Sequence, residues 1–239
     1  MKKATISPMK LYYEALLRLI YPATCGACTR LLELDEKGLC SKCRLALCSL
    51  RFSPADCAIE ESIKGIDEGW TLYPYEFPVK EIISGIKFSR KRWLVRTFED
   101  EVADFFTTLS AERIYDFLIP IPLDPRKRLD REFNQSELIA MLIEKKSGIP
   151  VKRRILTKQR NTPPQSQLPR HERQTNLNNA FQVRHRDQIR GKRLLLVDDI
   201  LTTGATSGET ARLLKKSGAK RVDVFTLART KPSRGGSSH

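Results

Sequence analysis

Residues 194–206 read Leu-Leu-Leu-Val-Asp-Asp-Ile-Leu-Thr-Thr-Gly-Ala-Thr, and no other stretch limits the possible fold so sharply. The apolar run Leu194–Val197 predicts a buried strand. Two carboxylates, Asp198 and Asp199, follow at its C-terminal end. A hydroxyl-rich turn containing Gly204 then opens a helix over 205–217, which Gly218 stops. In open α/β sheets, ligands bind beyond the carboxyl ends of the strands. The backbone N–H groups from Thr202 through Thr203, Gly204 and Ala205 to Thr206 would face a ligand at a helix N-terminus, which favours a phosphate dianion. The three threonines add hydroxyl donors, and Gly204 permits close approach. Asp198 and Asp199 repel phosphate. They suit hydroxyl donors such as those of a ribose, and they can stabilise nearby positive charge. An ordinary capped helix start explains one Thr or Asp. It does not explain two acids, three threonines and a glycine in one run.

The flanking sequence supplies the rest of an α/β alternation. Strands are predicted over 71–75, 116–123, 192–199 and 221–227, and helices over 79–88, 93–109 and 132–146. Pro74 marks its strand as an edge. Gly148 fits the stop of the third helix. The polar stretch 157–179, with Pro163 and Pro164, reads as a long loop. Alternation of this kind indicates a parallel sheet flanked by helices. An N-terminal helix is expected over 9–20, stopped by Pro22, and the Gly/Ser-rich tail 231–239 is expected to be disordered.

All six cysteines fall between residues 22 and 57. Cys25 and Cys28 form one CxxC pair, and Cys40 and Cys43 form another. Each pair places two thiolates on one side of a tight turn, and two such turns complete a closed tetrahedral zinc site of the structural kind. Buried or redox thiols are the alternative reading. A segment this short buries little core, so metal binding would supply its folding energy. Cys48 and Cys57 are expected to be spare thiols.

Met1-Lys2-Lys3 is followed by Lys10, Glu14 and Arg18, so no secretory signal is read there. No apolar run approaches a membrane span. The expected compartment is the cytoplasm, where thiols stay reduced. The formal charge is +15. Residues 120–193 alone hold 18 Lys or Arg against 7 Asp or Glu. Such a span is either a solvated basic surface or a site for phosphates, pyrophosphate or nucleic acid.

The segment 194–206 resembles the phosphoribosyl-pyrophosphate (PRPP) signature of type I phosphoribosyltransferases. From Ile20-Tyr21-Pro22 to about Arg229 the chain resembles the ComF/GntX family, which joins a double-CxxC module to such a domain. The resemblance implies a zinc-ribbon-like unit over 9–57 and a phosphoribosyltransferase domain over 70–230. Ile119-Pro120-Ile121-Pro122-Leu123, followed by Arg126, Lys127 and Arg128, resembles the family's pyrophosphate loop. Arg131-Glu132-Phe133-Asn134-Gln135 resembles its RGFNQ motif, with Glu132 in place of the glycine. Lys87 lies where the family often has a lysine near the ligand. Arg160, Gln165 and Arg173 follow the pattern of a flexible loop that closes over PRPP.

By this resemblance, Asp198 and Asp199 orient the ribose and stabilise the oxocarbenium-like transition state. Pro122, Leu123, Lys87, Arg126, Arg128 and Arg131 face the pyrophosphate, and magnesium accompanies PRPP. The resemblance also implies a role beside DNA uptake in natural competence, with a helicase partner. Two readings stand at this point. One is a transferase of unknown acceptor. The other is a PRPP sensor whose zinc module and basic span contact single-stranded DNA or another protein.

Overall fold

The computed structural model describes residues 16–18, 20–59, 62–89, 91–109, 115–124, 133–159 and 180–230. The positions Arg126, Arg128, Arg131, Arg160, Gln165 and Arg173 lie outside the described residues. So do the tail and most of the predicted N-terminal helix.

A four-stranded, all-parallel sheet organises the chain. Its strands are β1 (Gly69–Pro74), β2 (Phe117–Pro120), β5 (Arg193–Leu201) and β6 (Arg221–Arg229), in the spatial order β1-β6-β5-β2. Pro74 does lie on an edge strand. There its missing N–H costs no ladder bond. In β5 the side chains alternate between two apolar clusters. Leu195 and Val197 enter one, and Leu194 and Leu196 enter the other. The continuous apolar run is what a strand covered on both faces needs.

On the first face lie α2 (Val79–Phe88), α3 (Glu99–Thr108) and α4 (Gln135–Ser147). They bury Ile82, Ile83 and Ile86 from α2, Val102 and Phe105 from α3, and Ile139 and Ile143 from α4. On the second face lie α5 (Ala205–Lys216) and an antiparallel pair, β3 (Leu156–Lys158) with β4 (Phe181–Val183). The predicted loop at 157–179 therefore begins inside a strand. Its partner is more than 20 residues away, beyond the reach of local periodicity.

Two further expectations are corrected. The helix predicted over 93–109 is broken into a 3-10 helix, Arg92–Phe98, and α3. The Thr97 hydroxyl donates to the Leu94 carbonyl at 2.6 Å, a side-chain bond that competes with regular helix. The cysteine segment, expected to be built on two tight CxxC turns, contains helix α1 (Ser41–Leu50). Only Cys43 and Leu47 of α1 are buried, too narrow a stripe to announce a helix. Glu36 supplies its first turn with an acceptor for the Ser41 N–H, at 2.6 Å.

The cysteine segment is tied to the sheet. Backbone N–H groups of Phe52 and Thr71 donate to the Leu72 and Cys57 carbonyls, at 2.9 Å each, along edge strand β1. Cys25, Leu39 and Leu47 join the same apolar cluster as Leu72, Ile83 and Phe98. Leu94 is the wedge between them. A Cβ added at Gly26 would lie 2.2 Å from one Leu94 methyl, and one added at Gly85 of α2 would lie 2.8 Å from the other. Both glycines make room for this fully buried side chain. Leu94→Ala should cost about 2–5 kcal/mol in urea unfolding. A loss below about 1 kcal/mol would mean that the two parts are not joined through this contact.

Candidate functional site

The site lies at the carboxyl ends of β5 and β2. The last pairing of β2 with β5 is Pro120 with Val197, and the Ile121 N–H donates to the Val197 carbonyl at 3.0 Å. This leaves Pro122 and Leu123, both partly buried, on the strand end beside the acidic pair. Lys87, in the last turn of α2, places Nζ 2.8 Å from Asp199 Oδ2. The Ser136 hydroxyl donates to Asp198 Oδ1 at 2.8 Å, and the Asp199 backbone N–H donates to the same oxygen at 2.9 Å. Ser136 is fixed by the N-cap of α4. The Asn134 side-chain oxygen accepts from the Ser136 N–H at 3.1 Å, and its amide donates to the Ile121 carbonyl at 2.9 Å.

Burial pushes the Asp198 carboxyl up to about 7, and the neighbouring charge of Asp199 adds to the rise. The Ser136 hydroxyl, the Asp199 N–H and Lys87 oppose it. The site therefore holds two adjacent acids in different environments. One is paired with an ammonium, and the other is hydrogen-bonded and poised to change charge near neutrality.

Past the acids, Gly204 takes the left-handed region at φ +69 and caps α5. Thr202, Thr203 and Ala205 are exposed, Thr206 is partly buried, and the Thr203 hydroxyl accepts from the Ala205 N–H at 3.4 Å. The back of this turn is closed by residues 63–65. A Cβ on Gly204 would lie 2.8 Å from Ile63 Cδ1, and one on Gly208 would lie 2.8 Å from the Lys64 carbonyl oxygen. The base of the 160–179 connection adjoins the site too, since Lys158 of β3 stands 3.9 Å from Asp124.

The four cysteines form a second constellation. The Sγ atoms of Cys25, Cys28, Cys40 and Cys43 all lie within 4.8 Å of one another, and Cys28 and Cys40 are 3.7 Å apart. A tetrahedral ZnS4 centre with bonds of about 2.3 Å needs sulfurs about 3.8 Å apart, so the donor set fits. The Cys40 N–H donates to Cys25 Sγ at 3.3 Å. Cys48 and Cys57 are free thiols outside this cluster, one exposed and one buried.

A family model described as "Phosphoribosyl transferase domain" matches residues 136–238, from Ser136 through the acidic pair and the Thr turn. The chain is 29% identical to the DNA utilization protein YhgH of Shigella flexneri, over 89% of this chain and 99% of that protein. It is 27% identical to competence protein F of Haemophilus influenzae, over 86% and 96%. It is 30% identical to competence protein ComFC of Bacillus subtilis, over 84% of this chain and 87% of that protein. The chain belongs to the ComF family.

Two residues of this ComF chain that meet the site were not singled out in the sequence. Ser136 reaches Asp198 from 62 positions away. Ile63 covers the Thr turn from the connection between the cysteine segment and β1. Neither carries a motif, and only the fold brings them in.

Two outcomes are expected from this geometry. Asp198 holds its proton in the fold up to about pH 7, whereas an unfolded carboxyl releases it near 3.8. This group therefore makes stability fall as pH rises between those values. Asp198→Asn, always neutral, should raise Tm more at about pH 8 than at about pH 5, and equal gains would remove the burial argument. Gly208→Ala drives a methyl into a backbone carbonyl and should cost about 1–3 kcal/mol. It should also weaken binding of ribose 5-phosphate, measured by calorimetry. Unchanged affinity would separate Ile63–Gly65 from the function of the threonine turn.

Proposed function

We propose that this ComF-family chain binds PRPP with magnesium at the end of β5 and transfers its phosphoribosyl group to an acceptor, releasing pyrophosphate. The observation that carries the reading is the Lys87–Asp199 pair beside Ser136–Asp198, set directly before a threonine turn that opens a helix. Thr202, Thr203 and Thr206, with the backbone of Gly204 and Ala205, take the 5′-phosphate. Asp198 and Asp199 accept from the ribose hydroxyls. The acceptor's nucleophile bonds to C1 as the C1–oxygen bond to pyrophosphate breaks, and positive charge grows on the ribose. The two carboxylates face that charge.

Lys87, Pro122 and Leu123 line the pyrophosphate side, and Arg126, Arg128 and Arg131 extend it. Arg160, Gln165 and Arg173 belong to a connection that closes over the substrate and excludes water. One of the two protein carboxylates is already neutralised by Lys87, so magnesium would be held mainly by substrate oxygens. When bound, it neutralises charge on the leaving pyrophosphate. The four-cysteine cluster takes a structural zinc ion, and the chain divides into a zinc-ribbon-like unit at 9–57 and the transferase domain at 70–230.

The names of the relatives link the chain to DNA utilisation and competence. A place in DNA uptake follows, with a helicase or single-stranded DNA as partner, and the reaction is assigned to the cytoplasm. No helix among the described residues is long and apolar enough to cross a membrane. PRPP with magnesium should raise Tm, and Thr203→Val/Thr206→Val should abolish that rise. Pyrophosphate should appear when an acceptor is supplied and magnesium is present. If PRPP neither stabilises the chain nor is consumed, the reading fails.

A further inference from the structure

A groove of about 650 Å³ runs between the 3-10 helix and α4. Arg92, Trp93 and Arg96 line one wall, and Leu138, Met141 and Lys145 line the other. Trp93 is 46% exposed and Met141 42%. Large apolar side chains gathered on one concavity mark a docking surface. Trp, Met and Arg are also the residue types that protein interfaces favour. The groove is positive as well as apolar. Arg92 and Arg96 enter no ion pair among the described residues. Glu99, which shares the lining, is held by Lys145 and Lys146 at 3.0 and 2.9 Å.

The chain carries the complement of this groove itself. Residues 31–36 read Leu-Leu-Glu-Leu-Asp-Glu and turn at Leu34 and Asp35. Leu31 is 61% exposed and Leu34 38%. Glu33 and Asp35 are exposed beside them. Asp35 enters no ion pair among the described residues. Glu33 lies 3.3 Å from Arg30, whose closer partner is Glu36 at 2.8 Å. In a chain of formal charge +15, an acidic turn with exposed leucines is a scarce kind of surface. The turn also adjoins the groove. Gly38 follows Asp35 by three residues, and a Cβ there would sit 3.1 Å from the Trp93 ring.

Opposite charges brought face to face fix the register of an interface, and apolar contact supplies its affinity. A turn and a groove that lie side by side can serve each other across a two-fold axis. The turn of one copy enters the groove of the second, and the reverse contact forms at the same time. We propose that two copies of this chain associate in this way. Leu31 and Leu34 of one copy pack on Trp93 and Met141 of the other, and Glu33 and Asp35 face Arg92 and Arg96. The overall positive charge works against association, so the contact rests on the acids of the turn. It is separate from the acidic pair and does not depend on the PRPP reading.

The test is sedimentation velocity on the full chain over a range of concentrations at near-physiological salt. Wild type should pass from one chain mass to two as concentration rises. Trp93→Ala should raise the dimer dissociation constant at least about tenfold. Glu33→Lys/Asp35→Lys and Arg92→Glu/Arg96→Glu should each be monomeric alone. Mixed in equal amounts they should dimerise again, because both contacts then bring opposite charges together. Circular dichroism checks the fold of every variant, and Leu34→Ser, at an exposed turn position, tests the same contact should a charge reversal fail to fold. Asp198→Asn/Asp199→Asn should dimerise as wild type does. The proposal is overturned if wild type stays monomeric at every concentration, or if the dimer persists unchanged in Trp93→Ala and Leu34→Ser. It is also overturned if the two folded charge variants stay apart when mixed. Open-ended polymers in place of a dimer would contradict the two-fold arrangement.

Discussion

Two carboxylates cannot stand side by side at the end of a buried strand unless other elements compensate them. Burial disfavours each charge, and each disfavours the other. Here the compensation comes from both flanking helices. Lys87 at the end of α2 pairs with Asp199, and Ser136 at the start of α4 donates to Asp198. Asn134 caps α4 and at the same time ties it to Ile121, so the strand end of β2, the helix start and the acidic pair form one unit. A site assembled this way has its groups in place before a ligand arrives, which is the condition for electrostatic stabilisation of a developing charge.

The strand, the acidic pair and the threonine turn were legible because they are contiguous, and local pattern is enough to read them. The double CxxC was legible because its spacing carries the geometry of a tetrahedral site, and the four sulfurs do converge. What stayed hidden depends on distant partners. Ser136 and Ile63 look like ordinary residues until the sheet brings them to Asp198 and Gly204. The pairing of β3 with β4 spans the whole 160–179 connection. The 3-10 helix before α3 carries the Thr97–Leu94 bond and seats Leu94 against Gly26 and Gly85, contacts that no apolar stripe encodes. Lys87 entered only through family resemblance, although an amphipathic helix ending in lysine would suit any soluble surface.

The same logic joins the cysteine segment to the rest. A small module with few buried residues gains little stability alone. This one shares its apolar cluster with α2, the 3-10 helix and β1, through Leu39, Leu47 and Leu94. The 3-10 helix has two roles in consequence. Its buried side carries Leu94 and Phe98 into the shared cluster, and its outer side displays Arg92, Trp93 and Arg96. A disturbed cysteine cluster would therefore reach both the stability of the sheet edge and the outer face of the 3-10 helix.

The central claim is that Asp198 and Asp199 belong to a PRPP site. Isothermal titration of PRPP with magnesium into the wild-type chain and into Asp198→Asn/Asp199→Asn addresses it directly. The account requires binding by the wild type and its loss in a folded double variant. Equal binding by both chains, or none by a folded wild type, would contradict it.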